Sequence, residues 1–290
     1  MAAPALVTAA SPRLKNILFG TDFAEDSLPV LPYACAIARA FGAKVYLCHV
    51  QADVPLSAGL AAPRLYEAAG KDLAEQLAAL RGLPALKGLE SKLLLASGSV
   101  KDEMPKIIRD HQIDLLVAGT HGRTGLSKMV LGSVVEEICR VVTCPILTVG
   151  QAAEVQADPS FRNILFATNL SEMSKKALPY IALLARQYGS RVTVLHVMPE
   201  NEAATADAKG VTESTRKTMW NLFGADLGEF QPEYSVAFGN TAETVLRVAR
   251  EKQADMIALG IRNAFRPGIL RERTAYRIMA GATCPVLTVP

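Results

Sequence analysis

The chain has 290 residues, half of them hydrophobic and 20% charged, with 20 glycines and 16 prolines. This excludes a disordered, collagenous or coiled-coil chain and, at about 100–200 residues per domain, gives two domains that each bury a core. The net charge of +3 lacks the concentrated basic stripe that a nucleic-acid or membrane-surface partner requires, so neither partner is expected.

Segment 1–12 reads as a loose tail: it has an Ala-rich stretch with no basic residue ahead of it, so it lacks the charged start of a signal peptide. A strand at Ile17–Phe19 runs into Gly20-Thr21-Asp22, followed by a helix over Leu28–Phe41 and a strand at Val45–Val50. Next come a helix around Leu65–Leu80, a strand at Lys92–Ala96, a helix at Lys101–Asp110 and a strand at Asp114–Ala118. That strand ends in Gly119-Thr120-His121-Gly122, and a flexible loop leads to Gly132, a helix from Ser133 and the strand Ile146–Val149. The polar stretch 151–160 reads as a linker.

The chain then repeats itself. NILFGTDFAEDS at 16–27 returns as NILFATNLSEMS at 163–174, and VYLCHV at 45–50 as VTVLHV at 192–197, both displaced by 147. The stretch 97–120 is echoed at 238–261 with a displacement of 141, and TCPILTV at 143–149 returns as TCPVLTV at 283–289, displaced by 140. Displacements that shrink in small steps mean two equivalent domains, 13–150 and 161–290, with short deletions in the second. Alternating strand and helix in each predicts a five-stranded parallel α/β unit covered by helices on both faces.

The five cysteines, Cys35, Cys48, Cys139, Cys144 and Cys284, are odd in number, form no C-x-x-C pair and sit mostly in apolar runs, which fits a reduced, cytoplasmic compartment. No metal site and no catalytic residue is expected. His49 and His196 stand at matching strand ends and read as structural, while His111, at a polar helix end, reads as solvated. Arg262, Arg266, Arg271, Arg273 and Arg277 cluster around Glu272 and read as a solvated face or a set of internal ion pairs.

In a doubly wound sheet a ligand lies beyond the carboxyl ends of the strands, where the winding reverses. Gly119, Gly122 and Gly132 are spaced G-x2-G-x9-G-S after a buried strand and before a helix. Glycines there let backbone approach phosphates, and the helix entry at Ser133 offers free N–H groups and partial positive charge. Neither G-x-x-x-x-G-K-[ST] nor a G-x-G-x-x-G after the first strand occurs, so the phosphate loop belongs to strand four.

From about Asn16 to its end the chain resembles a tandem universal stress protein of the UspA superfamily, on ILFGTDF, the HV ending strand two, the complete G-x2-G-x9-G-S and the CPILTV last strand. The resemblance implies Rossmann-like domains of strand order 3-2-1-4-5 and an adenine nucleotide, ATP or a relative with any Mg2+ carried in by it, bound in the first domain. It further implies that Asp22, with Thr21 beside it, holds the ribose or adenine side and Val50 touches the base. Ala118 and Gly119 would line the nucleotide, and Gly122, Gly132, Ser133 and Val134 would surround the phosphates, with His121 and Arg123 nearby. The second copy has Asn169 for Asp22, Asn263 for Gly122 and Glu272 or Arg273 for Gly132, so it is not expected to bind ATP in this way. The last strands, 146–149 and 286–289, are expected to pair about a pseudo-two-fold axis, leaving association into a homo-oligomer open. Rival readings are a slow ATP hydrolase and a nucleotide-independent protein-interaction module.

Overall fold

The computed structural model describes residues 12–23, 27–51, 73, 75–76, 79–80, 82–120, 131–154, 156–203, 208–261 and 274–290. The N-terminal tail, most of the helix expected at Leu65–Leu80, His121, Gly122, Arg123 and all of the arginine cluster except Arg277 lie outside them.

The first repeat runs β1 (Asn16–Gly20), α1 (Leu31–Phe41), β2 (Lys44–Gln51), β3 (Ser91–Ser97), α2 (Val100–Asp110), β4 (Leu115–Gly119), α3 (Ser133–Val141) and β5 (Ile146–Val149). The second runs β6 (Asn163–Thr168), α4 (Leu178–Tyr188), β7 (Arg191–Met198), α5 (Ala208–Leu227), β8 (Glu233–Phe238), α6 (Thr241–Glu251), β9 (Met256–Gly260), α7 (Thr274–Gly281) and β10 (Val286–Val289), with one-turn helices at Glu172–Lys175 and Glu200–Ala203.

Each repeat is an α/β unit of parallel strands, and the strands form one sheet in the order β3-β2-β1-β4-β5-β10-β9-β6-β7-β8. Within each half the winding reverses between the first and fourth strands, and Gly20 of β1 lies beside Ala118 of β4. The halves join antiparallel: Leu147 lies opposite Leu287, Thr148 opposite Val286, and Ile146 opposite Thr288. The Thr148 hydroxyl donates to Val286 O (3.3 Å), and the Thr288 hydroxyl donates to Ile146 O (3.4 Å). These matched bonds place a local two-fold at the Leu147–Leu287 pair.

Alternation along the strands sorts side chains onto two faces, because successive residues point to opposite sides. Ile17, Phe19, Val117, Leu147, Phe166, Ala258 and Leu287 belong to one core with α1 and α4. Leu18, Leu116, Ile146, Leu165, Ile257 and Val286 belong to the other with α2, α3, α6 and α7. Both cores run through both repeats without a break. Helix α5 contributes Met219, Phe223 and Leu227, four residues apart and all buried, which is the spacing of one helical stripe. Gly42 and Gly189 end α1 and α4 at φ of 60° and 63°, a left-handed conformation glycine takes without a Cβ penalty.

The repeats close alike. The Asp114 carboxylate accepts from the backbone N–H groups of Lys15 and Asn16 at 2.7 and 2.9 Å, and Asp255 from those of Arg162 and Asn163 at 2.9 and 2.8 Å. Asp114 is therefore a clamp between strand ends, and β4 starts one residue later than the expected Asp114. The expected helix over Leu28–Phe41 opens as a 3-10 turn at Leu28–Val30, with Pro29 in that turn and Pro32 in the first turn of α1. His111 is half-buried against the Tyr46 ring at 5.2 Å, where the sequence pattern pointed to solvent. Arg277 pairs with Glu243 at 2.9 Å. Among the described residues no helix is long and apolar enough to cross a membrane.

All five cysteines are free and buried. Burial pushes the Cys35 thiol up to about 11 and those of Cys48, Cys139, Cys144 and Cys284 up to about 12. Ellman's reagent at pH 8 is therefore expected to find no reactive thiol in the native protein and five after denaturation. Unfolded thiols lose their protons near the ordinary value of 9.0 while the native ones keep theirs, so the unfolded state binds fewer protons. Stability is then expected to fall as pH rises from about 9 toward 12 in denaturant titrations. A thiol that reacts quickly in the native protein would contradict the burial.

Candidate functional site

The first strand of each repeat ends in the same turn. Thr21 N–H donates to Cys48 O at 3.0 Å, and the Thr21 hydroxyl oxygen accepts from Phe23 N–H at 2.9 Å and meets the Ser27 hydroxyl at 2.8 Å. His49 Nδ1 donates to Thr21 O at 2.9 Å, which fixes the proton on that nitrogen. The His49 ring also lies 4.7 Å from that of Phe23. Phe23 is held at a φ of 60°, a conformation bulky residues adopt only when their neighbours compel it. In the second repeat Thr168, Leu170 (φ 59°), Ser174 and His196 make the same bonds at 2.9–3.0 Å. The two histidines thus serve a structural hydrogen bond, and Thr21 acts by building the turn.

This turn presents its middle residue from the end of the strand. In the first repeat that residue is Asp22, half-buried. In the second it is Asn169, whose side-chain oxygen accepts from the Ser171 N–H (3.2 Å) and hydroxyl (2.6 Å) within its own turn. A carboxylate at the first position and an amide at the second make the two ends chemically different.

Beside Asp22 stand the ends of β2 and β4. Val50 is half-buried against the α2–α3 core, Ala118 is buried and Gly119 closes β4 next to Val149. Thr120, buried, carries on from the strand with its N–H bonded to Val149 O at 2.9 Å. Its carbonyl accepts from Gly132 N–H at 2.7 Å, so the chain that leaves β4 at Thr120 is tied back to it where α3 begins. Gly132 is the N-cap of α3 and carries no side-chain cap, Ser133 is exposed, and Val134 is 49% exposed. Thr21, Asp22, Val50, Ala118, Gly119, Gly132, Ser133 and Val134 therefore all belong to the carboxyl ends of the strands or to the helix entry beside the β1–β4 reversal. A helix entry whose N-cap residue is a glycine, followed by an exposed hydroxyl, suits an anion.

Gly260, the one motif glycine that survives clearly in the second repeat, has a different occupation. A Cβ there would stand 2.3 Å from Met173 O and 2.5 Å from Ser174 Cα, because the one-turn helix Glu172–Lys175 lies directly on the end of β9. That glycine is required by packing, and weight for a phosphate site rests instead on the helix entry at Gly132 and Ser133.

One contact was absent from every sequence pattern. Tyr276 of α7, in the second repeat, meets Leu131, immediately ahead of Gly132. The repeat aligns Tyr276 with Glu136, a different residue, so only the packing of one repeat on the other reveals it.

The model of the universal stress protein family matches this chain at residues 13–150 and again at 160–290. A universal stress protein of Methanocaldococcus jannaschii is 33% identical over 144 residues, 47% of this chain and 81% of that protein. A second from the same archaeon is 28% identical over 152 residues, 47% of this chain and 94% of that protein. Among solved structures, a universal stress protein from Archaeoglobus fulgidus shares the fold over 96% of both chains, with a TM-score of 0.69 at 19% identity. The paired matches take in nearly the whole length, and the chain belongs to the universal stress protein family, carrying its domain twice.

Proposed function

We propose that the first domain binds one adenine nucleotide, ATP the expected ligand, and that the protein acts in stress response or signalling through the conformation this nucleotide sets. The observation that carries the reading is the entry of α3: Gly132 drawn to Thr120 O at 2.7 Å, with exposed Ser133 beyond it, beside the reversal between β1 and β4. First-turn amides beyond Gly132, from Ser133 onward, and a hydroxyl are the kind of donor set that a phosphate chain requires. In this reading Asp22 takes the ribose or adenine side and Val50 the base. Ala118 and Gly119 line the cleft, and Gly132, Ser133 and Val134 hold phosphates together with Gly122, with His121 and Arg123 as counter-charge. Magnesium would arrive with the nucleotide.

The second domain would not share this activity, since Asn169 stands for Asp22, Asn263 for Gly122 and Glu272 or Arg273 for Gly132. Its role would be to complete a pair: the β5–β10 junction does within one chain what association would otherwise do between two. A cytoplasmic location fits five buried free thiols.

Calorimetric titration of nucleotide-stripped protein with ATP and magnesium tests the reading. One site per chain is expected, weakened at least about tenfold in Gly122→Asp, where a carboxylate would oppose the phosphates. No heat of binding would overturn the nucleotide reading, and a stoichiometry near two would overturn the single-site assignment.

A further inference from the structure

The entry of α3 is held from two sides, and one of them belongs to the other domain. Leu131 N–H donates to the Tyr276 hydroxyl oxygen at 3.0 Å. Leu131 is 2% exposed and Tyr276 4% exposed, so no water stands ready to replace the acceptor, and an amide left without one is costly. The next amide, Gly132 N–H, goes to Thr120 O of its own domain. Two successive N–H groups are thus pinned, one by α7 and one by the end of β4, directly ahead of Ser133.

Helix α7 is itself seated against the first domain. A Cβ at Gly150, just past β5, would lie 3.3 Å from Ala282 O and 3.7 Å from Met279 O at the end of α7. The helix that carries Tyr276 therefore presses its far end on the turn after β5, so a shift of α7 moves both contacts together. At the displacement of 140 the counterpart of Tyr276 is Glu136, which pairs with Arg140 at 2.5 Å inside α3.

We propose that Tyr276 is a positioning residue for the phosphate end of the first domain's site, linking what binds at Gly132 and Ser133 to the packing of α7. The inference rests on the nucleotide reading above. Linkage is reciprocal: anything that displaces α7 from the side of the second domain changes nucleotide affinity in the first, and the nucleotide changes the seating of α7 by the same factor.

The test is a calorimetric comparison of the full-length protein with its Tyr276→Phe variant, using magnesium-ATP and adenosine. Phenylalanine keeps the ring packing and removes only the acceptor. ATP affinity is expected to fall about three- to tenfold, while adenosine, which has no phosphate to report on the helix entry, binds both proteins alike. In the unmodified protein, ATP is expected to slow amide exchange in peptide 274–281. Equal ATP affinities, or equal losses for ATP and adenosine, overturn the inference; the latter would mean a general loosening. Unchanged exchange in 274–281 overturns it too, whatever the stability of the variant. Failure of the unmodified protein to bind ATP overturns the nucleotide reading itself, in a titration that does not involve Tyr276.

Discussion

Leu287→Asp is expected to leave no cooperatively folded protein at room temperature. Leu287 is 2% exposed, and it faces Leu147, 1% exposed, at the centre of the antiparallel junction between the repeats. Truncating such a leucine to alanine costs about 2–5 kcal/mol. An aspartate adds a carboxylate with no cationic partner in an apolar layer, a further cost of several kcal/mol. The sum is comparable with the roughly 5–15 kcal/mol that holds most proteins together. Circular dichroism across a urea series would check this, with Leu287→Ala folded but shifted to a lower midpoint. Leu147→Ala should lose a similar amount, and the double variant should lose less than the two combined, since both remove the same contact. An aspartate variant with an unaltered transition would mean that the junction contributes little to the fold.

Gly260→Val is expected to lower stability by about 3 kcal/mol, or roughly 6–12 °C in melting temperature. The atoms that a Cβ would strike are the backbone oxygen of Met173 and the Cα of Ser174, and backbone cannot swing aside as the tip of a long side chain does. Relief requires the one-turn helix Glu172–Lys175 to lift, and Ser174 is the residue whose hydroxyl bonds Thr168 in the strand-end turn at 2.9 Å. The disturbance should therefore reach His196, which donates to Thr168 O at 2.9 Å. Differential scanning calorimetry beside a nuclear magnetic resonance spectrum of the histidine ring would register both effects. A melting temperature within a degree or so of the parent would show that the short helix moves freely.

Much of the fold was legible because the chain states it twice. Strand and helix order followed from the shared fragments, and the reversal that locates the site followed from the resemblance those fragments carry. Boundaries were less legible, for reasons that lie in tertiary partners. Asp114 reads as the first residue of a buried strand, yet its carboxylate is taken by the amides of Lys15 and Asn16. His111 reads as solvated because its sequence neighbours are polar, and only the register of β2 brings Tyr46 beneath it. The site shows the same division. Asp22, Gly132 and Ser133 declare themselves by type and spacing, whereas the scaffold that aims Asp22 is a web of Thr21, Phe23, Ser27 and His49 joined across two strands. Gly260 marks a limit of such reading, since a glycine held by packing looks the same in sequence as one held for a ligand.

The β5–β10 junction has a consequence for what this chain is free to become. Two separate subunits that meet about a two-fold must present identical residues to each other, and their meeting depends on how much of them the cell contains. A peptide linker replaces that dependence with a local concentration of order millimolar, which dilution leaves intact. It also lifts the demand for identity: one half keeps glycine and serine at its helix entry while the other places a tyrosine where its twin has a glutamate. Within one chain a symmetric partnership is open to a division of labour, and under the function proposed above one half would be released from holding a ligand while its substitutions act on the half that holds it.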